Sequence, residues 1–238
     1  MSAQTLLDQL LKTGLAAVND ARGSLQGAAS RGDLGKYATG AAAGGVLAML
    51  LGSRGGRRIG GSAVKLGSLA ALGMLAYRTY NDWQAQQRAN APAAVAGAAG
   101  APSNTPTATA PLALPAPQAE AHGRVLLKAI IAAAKSDGHL DDRERGLVEA
   151  ELRRSEADPV VRAWVEAELA RPLNAADVAA GATTPELAAE VYLASLLVVD
   201  ETSAQERAYL DTLAQALRLD QGLKAQLEAQ LKARALAG

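Results

Sequence analysis

"KYATGAAAGGVLAMLLGSRGGRRIGGSAVKLGSLAALGMLAYRTYNDW", Lys36 to Trp83, decides how this chain is read. Two apolar runs, Tyr37 to Ser53 and Ile59 to Tyr77, flank a centre that holds Arg54, Arg57 and Arg58. Lys65 is the single charge in the second run. Each run approaches the roughly 20 residues that a helix needs to cross a hydrocarbon core. Gly40 and Gly44, then Gly52, Gly56 and Gly60, recur every four residues. In lipid that spacing lets helix backbones approach closely. In a water-exposed helix each glycine would cost about 1 kcal/mol relative to alanine. Tyr37, Tyr77, Tyr80 and Trp83 bracket the block and none lies inside it, as in an interfacial aromatic belt. We therefore expect residues 36–88 to form a membrane-associated helical hairpin. Tyr37, Tyr77, Tyr80, Trp83 and the three arginines would sit at the interface. The alternative is a soluble Ala/Gly-rich hairpin through which copies of the chain self-associate.

Topology stays open at this level. Two crossings leave both termini on one side, and the positive-inside tendency draws the arginine turn toward the cytoplasm, pushing the C-terminal part out. A single span through the second run has the same outcome. A shallow re-entrant hairpin, or arginines held at anionic headgroups, avoids the conflict.

The charge balance divides the chain. Met1 to Arg88 holds ten Lys/Arg and four Asp/Glu, a balance of 10 − 4 = +6. Glu120 to Gly238 holds fourteen and twenty, 14 − 20 = −6, so the formal net charge is zero. A basic front half points to an anionic surface. "GSRGGRRIGG" is a single Arg/Gly copy with no interleaved aromatic for base stacking, so nucleic acid is not the expected partner. Cysteine and phenylalanine are absent and aromatics are 3% of residues. Disulfides and thiolate metal sites are excluded. A core of Ala, Leu and Val favours an all-α fold, because strands draw on aromatic and β-branched residues.

In "SAQTLLDQLLKTGLAAVND" the residues Leu6, Leu7, Leu10, Leu11, Leu15 and Val18 share one side of a helix. Asp8 interrupts the apolar run, so this is no secretory signal. We assign residues 1–35 to an N-terminal amphipathic helix that could lie on a membrane surface or pack on another helix, and expect the packing. Residues 89–119 carry no ionisable side chain and repeated prolines, and read as a disordered Ala/Pro linker.

From residue 120 to 238 the punctuation predicts a helical bundle. Asp141 with Glu144, and Ser203 with Glu206, have capping-box spacing. Asp158-Pro159 and Thr184-Pro185 place a cap before a first-turn proline. Helices are expected near 120–135, 142–154, 159–170, 175–181, 185–199, 204–217 and 221–235.

"AAAKSDGHLDDRERGLVEAEL" and "SLLVVDETSAQERAYLDTLAQAL" read as divergent copies of one unit, an apolar helix ending at Asp137 or Asp200 before a tight turn and a capped helix. An EF-hand is excluded by register, since the twelfth position from Asp137 is Val148. Asp137, Asp141 and Glu144 are hard oxygen donors suited to Ca²⁺ or Mg²⁺. The plainer reading makes Asp141 a cap, Glu144 its box partner and Gly138 the positive-φ residue.

These turns resemble the TerB-like helical domain of tellurite-resistance and related proteins. With the preceding Gly/Arg stretch, the chain looks like the YebE-like family of bacterial inner-membrane proteins of unknown function. The resemblance implies an all-α bundle with paired acidic turns, proposed in TerB relatives to bind divalent metal. Asp137, Asp141 and Glu144 match the first turn, Asp200 and Glu206 the second, which lacks the glycine. It also implies a bacterial inner-membrane location, and we expect the C-terminal domain to be cytoplasmic.

His122 and His139 are the only side chains poised to titrate near neutrality. No Gly-x-Ser-x-Gly elbow or His-Glu-x-x-His helix is present. The expected function is therefore non-enzymatic: a membrane-associated interaction or envelope-stress module, or else a soluble adaptor. The sequence names no protein partner.

Overall fold

In the computed structural model the described residues are 2–5, 7, 8, 69–90, 116–138, 158–199 and 203–236. The elements among them are all helices: α1 Leu69–Asn90, α2 Ala116–Ala134, α3 Pro159–Ala170, α4 Ala175–Ala179, α5 Pro185–Leu196, α6 Ala204–Ala216 and α7 Gln221–Leu236. Residues 3–5, 7 and 8 are helical as well. The helix expected over 142–154 and the linker over 91–115 lie outside the described residues.

The starts follow the cap chemistry. Asp158 accepts from the Val160 amide at 2.8 Å with Pro159 in the first turn of α3. Thr184 accepts from Leu187 N ahead of Pro185, and Ser203 accepts from Glu206 N. Asn174 caps the short α4 in the same way. Each side-chain oxygen satisfies a first-turn N–H that the helix itself leaves free. α6 ends in a Schellman arrangement: Leu219 N donates to Ala214 O, Arg218 N donates to Gln215 O, and Arg218 takes φ +55°.

α5 is the central element. Ala188 through Leu196 are all buried, so this helix has no solvent face over nine consecutive residues. α1 and α2 make the most extensive contacts with it, and α6 and α7 also pack on it. A helix buried all round must be apolar all round, as "AAEVYLASL" is except for Glu190, Tyr192 and Ser195.

α1 brings Leu72, Leu75, Ala76, Thr79 and Tyr80 into this core. Its C-terminal half runs against α7, where Gln226 Nε2 donates to Gln86 Oε1 at 2.7 Å. Trp83 packs beside Gly222, and its indole N–H has no partner among the described residues. The helical unit thus draws on residues both before and after the Ala/Pro segment. The division at residue 120 follows composition, while the packing runs across it.

The N-terminal residues dock too. Ala3 and Leu7 are fully buried in the same core. Ser2 accepts from the Thr5 amide, and the Ala3 amide donates to Glu120 Oε2 at 2.8 Å. Glu120 also accepts from Arg124 Nε. A carboxylate at a helix start meets unpaired N–H groups and the positive end of the dipole. Of the apolar face expected for this amphipathic helix, Leu7 is the described member and is buried in the bundle.

Candidate functional site

The first acidic turn follows α2. Gly138 N donates to Lys135 O, and Gly138 takes φ +73°, which removes the cost a side chain would meet in the left-handed region. Ser136 is buried and its hydroxyl donates to Ala133 O at 2.6 Å. Lys135 extends to the C-terminal end of α3, donating to the carbonyls of Glu168 and Arg171. A cation there suits the negative end of the helix and adds to the bond that the Glu168 carbonyl accepts from the Arg171 amide. The turn carrying Asp137 is thereby fixed to α3. Asp141 and Glu144 lie outside the described residues.

In the second turn, Asp200 lies outside the described residues, while Val198 and Val199 before it are buried. Glu206 is 8% exposed, drawn into the bundle one turn after the Ser203 cap. Among the described residues, no group of three or more His, Asp or Glu side chains is placed to hold a metal ion. Asp137 and Glu206 are the members of the expected metal set whose positions are described.

The expected interface aromatics have different surroundings. Tyr77 is 52% exposed, Tyr80 is buried, and Trp83 is half-buried with its ring centroid 5.9 Å from that of Tyr80. Tyr37, Arg54, Arg57 and Arg58 lie outside the described residues. No helix among the described residues is long and apolar enough to cross a membrane.

Composition did not point to a polar cluster at the junction of α1, α2 and α5. His122 Nε2 lies 2.9 Å from Glu190 Oε2, and the Glu190 side chain is almost wholly buried. Across α1, Gly73 approaches so closely that a Cβ there would be 3.0 Å from Glu190 Oε1. The hydrogen bond to Glu190 holds the His122 pKa above its ordinary value; burial opposes this and the carboxylate's charge adds to it. A lone carboxylate inside the apolar run of α5 was the available signal, because such a group needs a partner when buried.

A second polar chain links α5 to α6 and α7. The buried Tyr192 ring sends its hydroxyl to Glu228 Oε1 at 2.6 Å. Lys224 bridges Glu228 and Asp211, whose hydrogen bond is the main cause of its raised pKa. Burial pushes the Tyr209 phenol up, with the Ser195 hydroxyl pulling the other way. Tyr192 to Glu228 and Lys224 to Asp211 join helices to one another, whereas Lys224 to Glu228 lies within α7 and the buried Tyr209 hydroxyl has no hydrogen-bond partner among the described residues.

The arrangement defines an all-α protein in which a helical bundle is built together with the end of a glycine-rich segment. The chain belongs to the family described as protein of unknown function (DUF533), whose profile matches residues 36–231. That match takes in the Gly/Arg stretch and the bundle together. A protein of Yersinia enterocolitica described as "Uncharacterized protein in ampR 5'region" is 30% identical over 107 residues, 45% of this chain and 77% of its own length. No solved structure matches the chain.

Proposed function

We propose that this chain is a non-enzymatic interaction module of the bacterial inner membrane whose helical bundle faces the cytoplasm. The observation that carries this reading is the burial of Leu72, Leu75, Ala76 and Tyr80. The residues that directly follow the Gly/Arg stretch are built into the bundle, so whatever that stretch binds is held against a folded body. Tyr37 to Ser53 retains the length and apolar character for lipid contact, with Arg54, Arg57 and Arg58 beside it for anionic headgroups. The resemblance to YebE-like and TerB-like proteins supports the same address. It also supports divalent-cation binding at the turns carrying Asp137, Asp141, Glu144, Asp200 and Glu206.

Extraction of membranes from cells expressing the full chain tests the location. Retention through a salt wash and release by detergent are expected. Calorimetric titration of the full chain with Ca²⁺ and Mg²⁺ tests the cation, and a lack of heat in both reduces the turns to helix caps.

The second reading is a soluble adaptor that self-associates through its Gly/Ala-rich part. It is favoured by α1, in which Leu72, Leu75 and Ala76 of the second apolar run are buried in a protein core. Recovery in the salt-washed supernatant as an oligomer selects it.

A further inference from the structure

Glu190 is the one charged residue in the run Ala188 to Leu196 that α5 buries completely. Its carboxylate lies between two other helices. Oε2 is 2.9 Å from Nε2 of His122 on α2. Oε1 faces α1, where a Cβ on Gly73 would stand 3.0 Å from it. The surrounding stretch of α1, residues 71–76, reads ALGMLA and has no polar side chain. α1 therefore covers the carboxylate without a side chain to offset its charge, and the imidazolium of His122 does that instead.

We propose that the His122–Glu190 pair is a pH-sensitive latch on α1: with the imidazole protonated α1 stays seated over the carboxylate, and with the proton lost α1 lifts from α5 ahead of the rest of the bundle. The two helices that meet Glu190 respond differently. A neutral imidazole still donates one hydrogen bond, so α2 keeps its link to α5. It also keeps Leu126, Leu127, Ala129 and Ile130 in the core. α1 is left lying on an uncompensated charge, which is costly in an apolar surround. Lifting α1 lets water reach the carboxylate. Because α1 directly follows the Gly/Arg stretch, the latch sets how firmly that junction is held to the bundle.

The charges on the surrounding elements have other partners or positions. Glu120 is bonded to Arg124 on α2, Glu168 of α3 lies by Lys128, and Asp177 of α4 lies by Arg171. Those of α6 and α7 gather around Lys224. Glu186, one turn before Glu190, is half-buried, as is Asp8, and Arg78, the first charge of α1 beyond Gly73, is exposed. Glu190 supplies both the hydrogen bond and the charge that favour the imidazolium, against burial. The hold on α1 is thus complete below the unfolded histidine value and is lost as pH rises through the higher folded one.

The chain has no cysteine, so a single thiol placed in the core reports local opening. Ala76→Cys lies on α1 and Ala194→Cys on α5, each at a site 1% exposed. Both full-length variants are treated with an aromatic disulfide reagent from about pH 6 to about pH 9, on either side of the ordinary histidine value. Protection is the rate for the urea-unfolded chain at the same pH divided by the rate for the folded one, which removes the thiol's own ionisation. Protection at Ala76→Cys is expected to fall as pH rises while that at Ala194→Cys holds. Glu190→Gln and His122→Gln should each abolish the fall. Thr79→Cys, close in size to the native residue and also buried in α1, repeats the measurement if Ala76→Cys is unprotected at every pH. Constant protection on α1, a parallel fall at Ala194→Cys, or a fall that survives both substitutions overturns the latch. Absence of protection at both α1 positions at every pH overturns the docking of α1, and the inference with it.

Discussion

Gly123 lies directly beneath Gln4, so close that one added methyl group would stand 2.7 Å from the Gln4 amide nitrogen. The contact is between backbones, and no side chain can rotate away to relieve it. Gly123→Ala should therefore separate two effects. Helix α2 gains up to about 1 kcal/mol of intrinsic propensity, while residues 2–8 lose their seat. Amide hydrogen exchange is expected to quicken at residues 3–8 and to stay slow across α5. Unchanged protection at residues 3–8 would contradict the docking.

The attachment of α1 has its own signature. Leu75 is buried between α1 and the bundle, and Leu75→Ala should cost about 2–5 kcal/mol, the usual range for a truncated core leucine. Urea denaturation followed by circular dichroism measures it. Trp83, beside Gly222 and Tyr80, should report the same transition by fluorescence. Fragments make a coarser check: a chain beginning at Leu69 should unfold cooperatively, and one beginning at Ala116 should expose the α5 surface and aggregate. Equal stability of the two fragments would show that α1 is not part of the core.

His122 gives the bundle a pH dependence of known sign. Its folded pKa is raised above the unfolded value of 6.5 by Glu190. The resulting stabilisation is fully present below the unfolded value and is lost as pH rises through the folded one. Thermal melting should thus weaken from mildly acidic toward mildly alkaline pH. Glu190→Gln keeps the shape, removes the charge and should flatten this part of the profile, at a cost of about 1–2 kcal/mol at acidic pH. A wild-type profile without this slope, or the same slope in Glu190→Gln, would remove the pair as its cause.

Arg218 occupies the left-handed position that closes α6, where glycine is the ordinary residue. A side chain there costs about 1–2 kcal/mol in backbone strain. Arg218→Gly relieves it, partly offset by greater freedom in the unfolded chain. The melting temperature should rise by a few degrees, which calorimetry of the two proteins would show.

Much of the bundle could be read from local chemistry. Asp158-Pro159 and Thr184-Pro185 start α3 and α5 where expected, and Ser203 starts α6. Gly138 takes the positive φ assigned to it. These features depend on a few neighbouring residues, so a short stretch carries the whole signal. Of the acidic side chains expected at the two turns, Asp137 and Glu206 are described, and Glu206 is buried, which its place in a capping box does not specify.

α1 was harder to read. The apolar positions of Ile59 to Tyr77 suit lipid and protein equally well, because a buried helix in a bundle and a helix in a bilayer both want apolar surroundings. The amino-acid order by itself determined the helical class, the capped boundaries and the division of charge, since these follow from local hydrogen bonding and composition. The tertiary structure decided that Leu72, Leu75 and Tyr80 are buried in the bundle, that Glu190 has His122 for a partner, and that Gln4 rests on Gly123. Those contacts join residues far apart in the chain, and which apolar surface meets which depends on shapes that exist only once the helices have packed.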